Sequence, residues 1–478
     1  MSLKQYQQVR VRFAPSPTGH LHIGGLRAAI FNWLFARHYD GVFLLRIEDT
    51  DKERSQQIYT DAIIDTFAWM GITSDEPIVI QSERVKEHGA VIEKLLAENK
   101  AYRCYCSQEE VLQRHVQLGG DPLFVKYDGR CRKLKDRIVD VSPVIRFAIP
   151  DTVKEITFVD MIRGPITVDM AELDDFIIAR SDFSPMYNFV VVVDDAFMGI
   201  THVIRGEDHI SNTPKQILLY QACGYDLPQF AHAPNILGPS GKKLSKREAA
   251  ASVLEYRQMG YLPEALCNYL VRLGWSHGDQ EVFTQQELIA LFTLDGVGKK
   301  GSIFDTEKLD WLNGYYMRHM NPDDLYQRII SDVQHDLSDQ LSCWDSTKIL
   351  QAIALYQDRV KTLQALGAHI VNLYKGASCF AQEDVTQWLS HESTIERLQA
   401  VVQSLPTENE FSTDALKQSL NLVAKQFGVK LVSIAQPIRI ALLGTSDGPG
   451  VLGLLAFLGK KESQVRINKL IQWLISNK

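Results

Sequence analysis

Two histidines and two glycines stand close together near the N-terminus, in the stretch RFAPSPTGHLHIGG at residues 12–25. His20 and His22 can donate hydrogen bonds to an anion, and Gly24 and Gly25 let a flat or charged ligand approach the backbone closely. The two common nucleotide-binding signatures, G-x-G-x-x-G and G-x-x-x-x-G-K-[ST], are absent from this turn. The turn is therefore a candidate nucleotide site of another kind, and a solvated loop is the alternative.

A second stretch that could do chemistry, KKLSKR at residues 242–247, carries four cations in six residues. It follows an apolar segment and is preceded by glycine and proline, which is typical of a loop. At the ligand-binding end of a sheet, such a loop could stabilise the charge that develops when an α-phosphorus is attacked and pyrophosphate leaves. A solvated basic loop is the alternative.

Alternating strands and helices are predicted to position both stretches. The predicted strands are 9–13, 42–47, 78–80, 188–193, 202–205 and 231–237. The predicted helices begin near Gly24, at Ser55, at about Glu83 and at Thr213. This order predicts an α/β fold with a doubly wound parallel sheet, in which ligands bind beyond the carboxyl ends of the strands.

Two regions depart from this alternation. Residues 102–183 contain short, irregular segments, with strands predicted at 144–148, 157–159 and 166–168, and are interpreted as an insertion. Beyond residue 250 helical periodicity dominates, so the C-terminal half is predicted to be mainly α.

Composition limits the class of protein. The chain has 478 residues, 45% of them hydrophobic and 23% charged, which is typical of a globular protein with about three domains. Because no apolar run approaches a membrane span and no secretory leader opens the chain, we expect a cytoplasmic protein with seven reduced cysteines. The net charge of −7 does not indicate nucleic-acid binding, although a local basic face is compatible with it.

The two stretches together resemble the paired signatures of the class I aminoacyl-tRNA synthetases, since HLHIGG precedes KLSKR by about 220 residues. Within that class, four further stretches resemble the bacterial glutamyl-tRNA synthetase family: LRIEDTD at 45–51, YNF at 187–189, HVIRGEDH at 202–209 and NYLVRLGW at 268–275. The resemblance is dense up to about residue 320 and looser in the helical remainder.

The resemblance implies five parts. A Rossmann-like catalytic domain would be split into 1–101 and 186–250, around an inserted α+β acceptor-stem-binding domain at 102–185. A helical stem-contact domain at 251–321 and an all-α anticodon-binding domain at 322–478 would follow.

The activity implied by the resemblance is ATP-dependent ligation of L-glutamate to tRNA(Glu) through a glutamyl-adenylate, with release of AMP and pyrophosphate. The implied substrates are glutamate, tRNA and ATP with Mg²⁺, and the implied state is a monomer. Two alternatives stay open: a relaxed or paralogous enzyme that charges tRNA(Gln) with glutamate, and a non-catalytic tRNA-binding paralogue. A glutamyl-queuosine tRNA-modifying enzyme is disfavoured because such proteins lack the helical half, and glutaminyl specificity is disfavoured by the bacterial-type pattern.

The resemblance also assigns roles to single residues. Catalysis is assigned to His20, His22, Lys243 and Lys246. ATP binding is assigned to Gly24, Gly25, Lys243, Ser245, Lys246 and Arg247. Glutamate binding is assigned to Arg12, Ala14, Ser16, Glu48, Tyr187, Asn188 and Arg205. These types suit the ligand, because guanidinium groups pair with carboxylates and a carboxylate pairs with an ammonium group. Taken singly, Glu48 could instead cap a helix, Arg205 could form a surface ion pair and Tyr187 could belong to the core.

Two positions depart from the family pattern. Cys104, Cys106 and Cys131 resemble a zinc site of the insertion, but Lys133 stands where family members usually have the fourth ligand, a histidine. Protonated lysine is a poor zinc ligand, so the substitutes to consider are His115, Tyr127 and Asp128, and buried reduced thiols are the alternative. After the basic loop, Glu248-Ala249 replaces the usual His-Gly, which could stiffen the loop or weaken its positive field.

Overall fold

The structure is a computed structural model that describes residues 8–51, 53–123, 125–133, 141–244 and 252–477. Ser245, Lys246, Arg247 and the Glu248-Ala249 pair lie outside these described residues. Within the described ranges, no helix is both long enough and apolar enough to cross a membrane.

The chain divides into two compact units. The first comprises Met1–Leu254 and Cys267–Asp305, and the second comprises Glu255–Leu266 and Thr306–Lys478. The five-part division given above is finer than these units and stays a prediction.

The described strands form several small sheets. They are β1 Arg10–Phe13, β2 Val42–Ile47, β3 Val79–Ile80, β4 Ala101–Cys104, β5 Val144–Phe147, β6 Glu155–Asp160, β7 Gly164–Asp169, β8 Ile177–Ala179, β9 His202–Gly206, β10 Gln229–Ala233, β11 Ile236–Leu237 and β12 Ser302–Ile303. The first sheet, β1-β2-β3, is parallel, as are the pairs β9-β10, β10-β6 and β11-β12. The sheet β4-β5-β8 and the pair β6-β7 are antiparallel.

Helices occupy most of the rest. Those of the first unit, including two that straddle its bounds, are α1 Ile23–His38, α2 Gln57–Trp69, α3 Val85–Ala97, α4 Gln108–Gln117, α5 Tyr187–Phe197, α6 Thr213–Cys223, α7 Val253–Gln258, α8 Pro263–Arg272 and α9 Gln285–Leu291. Those of the second unit are α10 Thr306–His319, α11 Pro322–Arg328, α12 Leu337–Gln340, α13 Ser346–Tyr356, α14 Leu363–Lys375, α15 Gln382–Asp384, α16 Thr394–Ser404, α17 Thr413–Gln426, α18 Val432–Leu443 and α19 Val451–Ser476.

The two parallel sheets of the first unit meet where the order of strands reverses. Thr201, just before β9, donates its backbone N–H to the carbonyl oxygen of Arg10 on β1 at 2.9 Å. Across this bond the order runs β3-β2-β1 and then β9-β10-β6, so consecutive βα units spread to opposite sides of β1 and β9. This is the switch point of a doubly wound sheet, where ligands bind outside the carboxyl ends of the strands. The predicted fold class is confirmed.

One predicted strand is wrong. Residues 188–193 belong to the helix α5, not to a strand of the parallel sheet. Phe189 and the four valines that follow it are all buried, so no exposed face interrupts the run to reveal a helical period. A short, continuous apolar run does not distinguish a buried strand from a buried helix, and the β propensity of valine is overridden by packing.

The predicted strand 231–237 is two strands, β10 and β11, with Pro234 and Asn235 between them. Proline lacks a backbone N–H and cannot continue a ladder on both sides, so the sheet ends there. The predicted strands of the insertion, at 144–148, 157–159 and 166–168, are confirmed as β5, β6 and β7.

The second unit is helical throughout its described residues, as predicted for the C-terminal half. In α17, Leu416, Leu420 and Val423 are buried on one face and join a core built from the surrounding helices. The chain reverses after this helix through Gly428, whose φ of 63° lies in the left-handed region that glycine adopts without strain.

Candidate active site

A cavity of about 610 Å³ lies at the switch point of the first unit. Ten of the predicted site residues line it: Arg12, Ala14, Ser16, His22, Gly24, Gly25, Glu48, Tyr187, Arg205 and Lys243. Their positions follow from the fold, because the carboxyl ends of β1, β2 and β9 open at the same edge as the N-terminus of α1. Residues more than 200 positions apart in the sequence, such as Arg12 and Lys243, therefore share one site.

The turn into α1 has a defined geometry. His22 is the N-cap, and its Nδ1 accepts a hydrogen bond from the backbone N–H of Gly25 at 3.1 Å. A neutral ring that accepts at Nδ1 carries its proton on Nε2, so His22 presents an N–H donor beside the helix N-terminus. A side chain on Gly25 would meet Leu21 Cδ1 at 2.8 Å, and one on Gly24 would meet the His22 ring at 3.0 Å. A Cβ at position 24 would therefore crowd the capping ring of His22, and one at position 25 would require Leu21 to shift.

One side of the cavity, the Arg12 wall, is a buried ion cluster of Arg12, Arg46, Glu48 and Asp195. Arg12 donates from Nε and Nη2 to the two oxygens of Asp195, at 3.0 and 3.2 Å. Arg46 donates to Asp195 at 2.6 Å and to Glu48 at 2.9 Å. Burial raises the pKa of Glu48, while the Arg46 charge acts in the opposite direction. Glu48 therefore belongs to the cavity wall and does not cap a helix.

A second group at the cavity, the Arg205 wall of Arg205, His232 and Thr213, holds its cation differently. Arg205 donates from Nε to His232 Nε2 at 3.1 Å and from Nη2 to the Thr213 hydroxyl at 2.9 Å. Its third nitrogen, Nη1, is buried and has no hydrogen-bond partner among the described residues. Burial lowers the pKa of Arg205, yet a guanidinium stays charged at neutral pH. Arg205 is thus a buried cation with one unused donor group, not a surface ion pair.

Tyr187 and His209 also line the cavity, and Tyr187, at 38% exposed, is not a core residue. The Tyr187 hydroxyl is 3.1 Å from His209 Nδ1. Burial raises the pKa of Tyr187 to about 12, and burial with the nearby Arg205 charge lowers the pKa of His209 to about 4. Both side chains are therefore uncharged at neutral pH. His209 was not predicted as a site residue, although it ends the HVIRGEDH stretch.

Lys243 reaches the cavity from a tight loop. The backbone N–H of Gly238 donates to the carbonyl of Lys242 at 2.8 Å, and that of Leu244 donates to Ile236 at 2.9 Å. These bonds fold the loop back on β11, where the Lys243 ammonium is 3.1 Å from a carboxylate oxygen of Asp208. Burial acts to raise the pKa of Asp208, but the bond from Lys243 leaves it below its usual value.

Charge in the cavity is unbalanced. Four cationic residues line it, against two acidic residues; the cations are Arg12, Arg27, Arg205 and Lys243, and the acids are Glu48 and Asp208. Among the described residues the lining therefore has excess positive charge, which suits anionic ligands.

Arg27 is a further residue that the sequence prediction missed. It lies on the buried face of α1, and burial lowers its pKa to about 10. Its guanidinium donates to the carbonyl of Leu273 at 2.6 Å and to that of Pro234. Arg27 thus joins α1 to two loops around the cavity. The available signal was an arginine within an otherwise apolar helix segment.

Two predicted site residues do not line the cavity. His20 is exposed, with its ring 5.1 Å from that of Tyr59. The Asn188 amide accepts a hydrogen bond from Gln216 at 3.1 Å and donates to Asn212 at 3.4 Å. Their assigned roles stay predictions, as do those of Ser245, Lys246 and Arg247, which lie outside the described ranges.

The three cysteines of the insertion do come together. The sulfur atoms of Cys104, Cys106 and Cys131 lie within 4.8 Å of one another. Tyr127 is buried in the same cluster, and its hydroxyl oxygen accepts a hydrogen bond from the Cys131 backbone at 2.9 Å. Lys133 is exposed, which is compatible with its being no ligand.

The other two candidates for a fourth zinc ligand, Asp128 and His115, have different neighbours. The Asp128 carboxylate forms an ion pair with Arg114 at 3.0 Å, and His115 Nδ1 accepts from the Lys126 backbone at 3.4 Å. Among the described candidates, Tyr127 is therefore the oxygen or nitrogen donor that the fold puts with the three sulfurs.

Comparison with known families accounts for this architecture. The family described as tRNA synthetases class I (E and Q), catalytic domain, matches residues 8–311. The chain belongs to this synthetase family. A second family, described as an anticodon binding domain, matches residues 325–471 of the synthetase.

Individual relatives cover almost the whole synthetase. The glutamate--tRNA ligase of Syntrophotalea carbinolica is 46% identical over 469 residues, which are 96% of this chain and 98% of that protein. Glutamate--tRNA ligase 1 of Syntrophus aciditrophicus is 44% identical and covers 99% of each chain. The crystal structure of a glutamate tRNA ligase from Elizabethkingia meningosepticum, in complex with its amino acid, matches with a TM-score of 0.85 at 32% identity, over 98% of this chain and 100% of that one.

Proposed function

We propose that this synthetase is a glutamate--tRNA ligase. In the first step, a carboxylate oxygen of glutamate attacks the α-phosphorus of ATP, forming glutamyl-adenylate and releasing pyrophosphate. In the second, a hydroxyl of the terminal ribose of tRNA(Glu) attacks the adenylate carbonyl and AMP leaves. The observation that carries the proposal is that one cavity combines a histidine-capped helix N-terminus with a buried guanidinium whose Nη1 has no partner in the described part of the chain.

The ATP half of the site is the turn into α1. The Nε2–H of His22 and the N-terminal N–H groups of α1 would hold phosphate oxygens, and Gly24 and Gly25 would lie under the adenine. Lys243, with Lys246 from the resemblance, would stabilise the charge on the phosphates as pyrophosphate leaves. ATP would enter as its Mg²⁺ complex, and the ion would neutralise part of the phosphate charge.

The glutamate half lies between the two walls. Arg205 and Arg12 supply guanidinium groups for carboxylates, and Glu48 supplies a carboxylate for the α-ammonium group. Because the attacking carboxylate is already a nucleophile, the chain needs to supply alignment and electrostatic stabilisation and no general base. The excess positive charge of the lining favours glutamate over the uncharged side chain of glutamine.

The cysteine cluster supports a structural zinc ion in the insertion. Three cysteine sulfur atoms within 4.8 Å of one another suit zinc, which would bind them as thiolates and stabilise this part of the fold. Tyr127 is the candidate for the fourth position that lies in the same cluster. We expect about one zinc per chain in the purified protein by mass spectrometry of the metal. Cys106→Ser should lose the zinc and unfold at lower temperature, whereas Cys379→Ser, at an exposed cysteine, should do neither. A zinc-free wild-type protein would leave reduced thiols as the interpretation.

The remaining assignments follow from the proposed reaction. The anticodon binding domain makes tRNA(Glu) the expected macromolecular partner, a monomer is the expected oligomeric state, and the cytoplasm is the expected compartment because tRNA charging supplies the ribosome. Charging of tRNA(Gln) with glutamate is the second candidate, since Glu248-Ala249 departs from the usual loop sequence.

The test is aminoacylation of purified tRNA(Glu) and tRNA(Gln) by the full chain, with labelled glutamate or glutamine. We expect ATP-dependent glutamyl-tRNA(Glu) and no glutaminyl product. Glutamyl-tRNA(Gln) would identify the paralogous specificity. Binding of tRNA without any product would overturn the enzyme proposal and identify a non-catalytic paralogue.

A further inference from the structure

Asp160 and His232 are two buried ionisable residues behind Arg205. Asp160 is 1% exposed and His232 is not exposed at all, and neither lines the cavity. Asp160 ends β6 in the predicted insertion, and His232 lies on the neighbouring strand β10. They nevertheless connect directly to the cavity, because His232 accepts the hydrogen bond from Arg205 Nε.

The hydrogen bonds determine the protonation of the histidine. Arginine can only donate, so His232 Nε2 must accept. The proton of the ring is then on Nδ1, which donates to Asp160 Oδ2 at 2.6 Å. The other carboxylate oxygen accepts from the backbone N–H groups of Ile162 and Arg163, at 3.0 and 2.8 Å. The chain Asp160–His232–Arg205 therefore has one arrangement of protons, anchored on the backbone of the insertion.

His232 anchors Nε of Arg205 and the Thr213 hydroxyl anchors Nη2, which leaves Nη1 without a described partner. A buried donor without an acceptor is destabilising, and a ligand oxygen would recover that cost. We propose that Asp160 and His232 are positioning residues, which hold Arg205 so that Nη1 takes a carboxylate of glutamate and thereby contribute to the selection of glutamate over glutamine. The inference rests on the proposed binding of glutamate in this cavity.

The proposed selectivity depends on the neutral imidazole of His232 between the charges of Asp160 and Arg205. A carboxylate bonded directly to Arg205 would pair its charge, as Asp195 pairs that of Arg12. The imidazole holds the Asp160 carboxylate one ring away, so the guanidinium is oriented while its charge stays available to the substrate. The side-chain amide of glutamine, in place of the carboxylate of glutamate, would leave the Arg205 charge unpaired in a buried site.

The first test is Asp160→Asn, which keeps the size of the side chain. The amide oxygen can still accept from Ile162 and Arg163, but its NH₂ group then faces His232 Nδ1. The ring must accept there and carry its proton on Nε2, opposite the N–H of Arg205. We expect the KM for glutamate to rise at least about tenfold, with the KM for ATP and tRNA changed less than about twofold, and the preference for glutamate over glutamine to fall.

Two changes at His232 separate positioning from folding. His232→Gln puts an amide oxygen near the Nε2 position and can still accept from Arg205, whereas His232→Asn can reach Asp160 but not Arg205. We expect His232→Asn to reproduce the KM defect of Asp160→Asn and His232→Gln to recover most of the glutamate affinity. His202→Asn is the matched control, because His202 is equally buried on the adjacent strand β9 and does not line the cavity.

The outcomes distinguish the two proposals. A wild-type protein that does not charge tRNA with glutamate overturns the proposed function. A wild-type protein that does, with equal glutamate KM for His232→Gln and His232→Asn, overturns the positioning role. So does an equal rise in the KM values for glutamate and ATP in both His232 variants, since that is the result expected from general distortion.

Discussion

The two walls of the cavity each hold a buried arginine, but they treat its charge in opposite ways. On the Arg12 wall, both carboxylate oxygens of Asp195 accept from Arg12, so charge is matched within the protein. On the Arg205 wall, the bonded acceptors of the guanidinium are an imidazole, a hydroxyl and a backbone carbonyl, all of them neutral. Besides their proposed contacts to glutamate, we therefore expect the Arg12 wall to contribute more to stability than the Arg205 wall does, and the Arg205 wall to contribute more to the affinity for glutamate.

The largest effect should come from breaking the Arg12 wall. Asp195→Asn removes the carboxylate that two buried guanidinium groups share. Leaving buried charges without their partner costs about 3–5 kcal/mol. We expect the free energy of urea unfolding to fall by about that amount. Asp75→Asn is the control, because the Arg37–Asp75 pair is partly exposed and should be worth at most about 1 kcal/mol. Equal losses in both variants would contradict the assignment of stability to this wall.

A smaller effect on stability, but a large one on affinity, should follow from Arg205→Lys. The ammonium keeps the charge but cannot bond His232, Thr213 and a ligand with the fork geometry of a guanidinium. We expect the KM for glutamate to rise about 100-fold, equivalent to about 2.7 kcal/mol, measured by steady-state charging of tRNA. The free energy of urea unfolding should decrease less in Arg205→Lys than in Asp195→Asn. The reverse ranking, with stability lost and the glutamate KM unchanged, would show that both walls serve the fold.

The last prediction concerns the pH dependence of stability and a buried histidine, His202, on β9. His202 Nδ1 lies 2.8 Å from the Thr201 hydroxyl, and burial lowers the pKa of His202 to about 4. Between pH 6.5 and 4 the unfolded chain is protonated at this residue and the folded chain is not. The free energy of unfolding should therefore decrease as the pH is lowered through that window, by about 1.4 kcal/mol per pH unit, and should level off outside it.

The measurement is urea unfolding from pH 4.5 to 7.5 for the wild type and His202→Gln. The variant should lose stability less steeply below about pH 6.5 than the wild type does. Parallel curves would contradict the assignment of this pH dependence to His202.

The residues of the two walls that line the cavity were predictable from the sequence, whereas their buried partners were not. Arg12, Glu48 and Arg205 belong to stretches that resemble the synthetase family, so their place at one cavity was predictable. Asp195 pairs with Arg12 across 183 positions, and no local pattern encodes that contact. The available signal was two aspartates ending the run VVVVDD, since carboxylates in a buried segment need cationic partners.

The error at residues 188–193 has the same origin. The valines of that run are buried on all sides, so their pattern contains hydrophobicity but no period. Where polar and apolar residues alternate, as in β1, the element was predicted to within a residue. The buried apolar run of β2 was predicted correctly as a strand and the one at 188–193 was not, so an apolar run without a period does not by itself distinguish the two structures.

The strand β6 has a consequence for how this synthetase could be altered by recombination. It lies in the predicted insertion, yet it pairs with β10 at Asp160 and Phe230, in the sheet that also contains Arg205. An exchange of the insertion between relatives would therefore replace the residue that anchors His232, together with any surface for tRNA. Chimaeras whose junctions leave Glu155–Asp160 with the host chain should retain amino-acid specificity, whereas exchanges of the whole segment would transplant part of the amino-acid site.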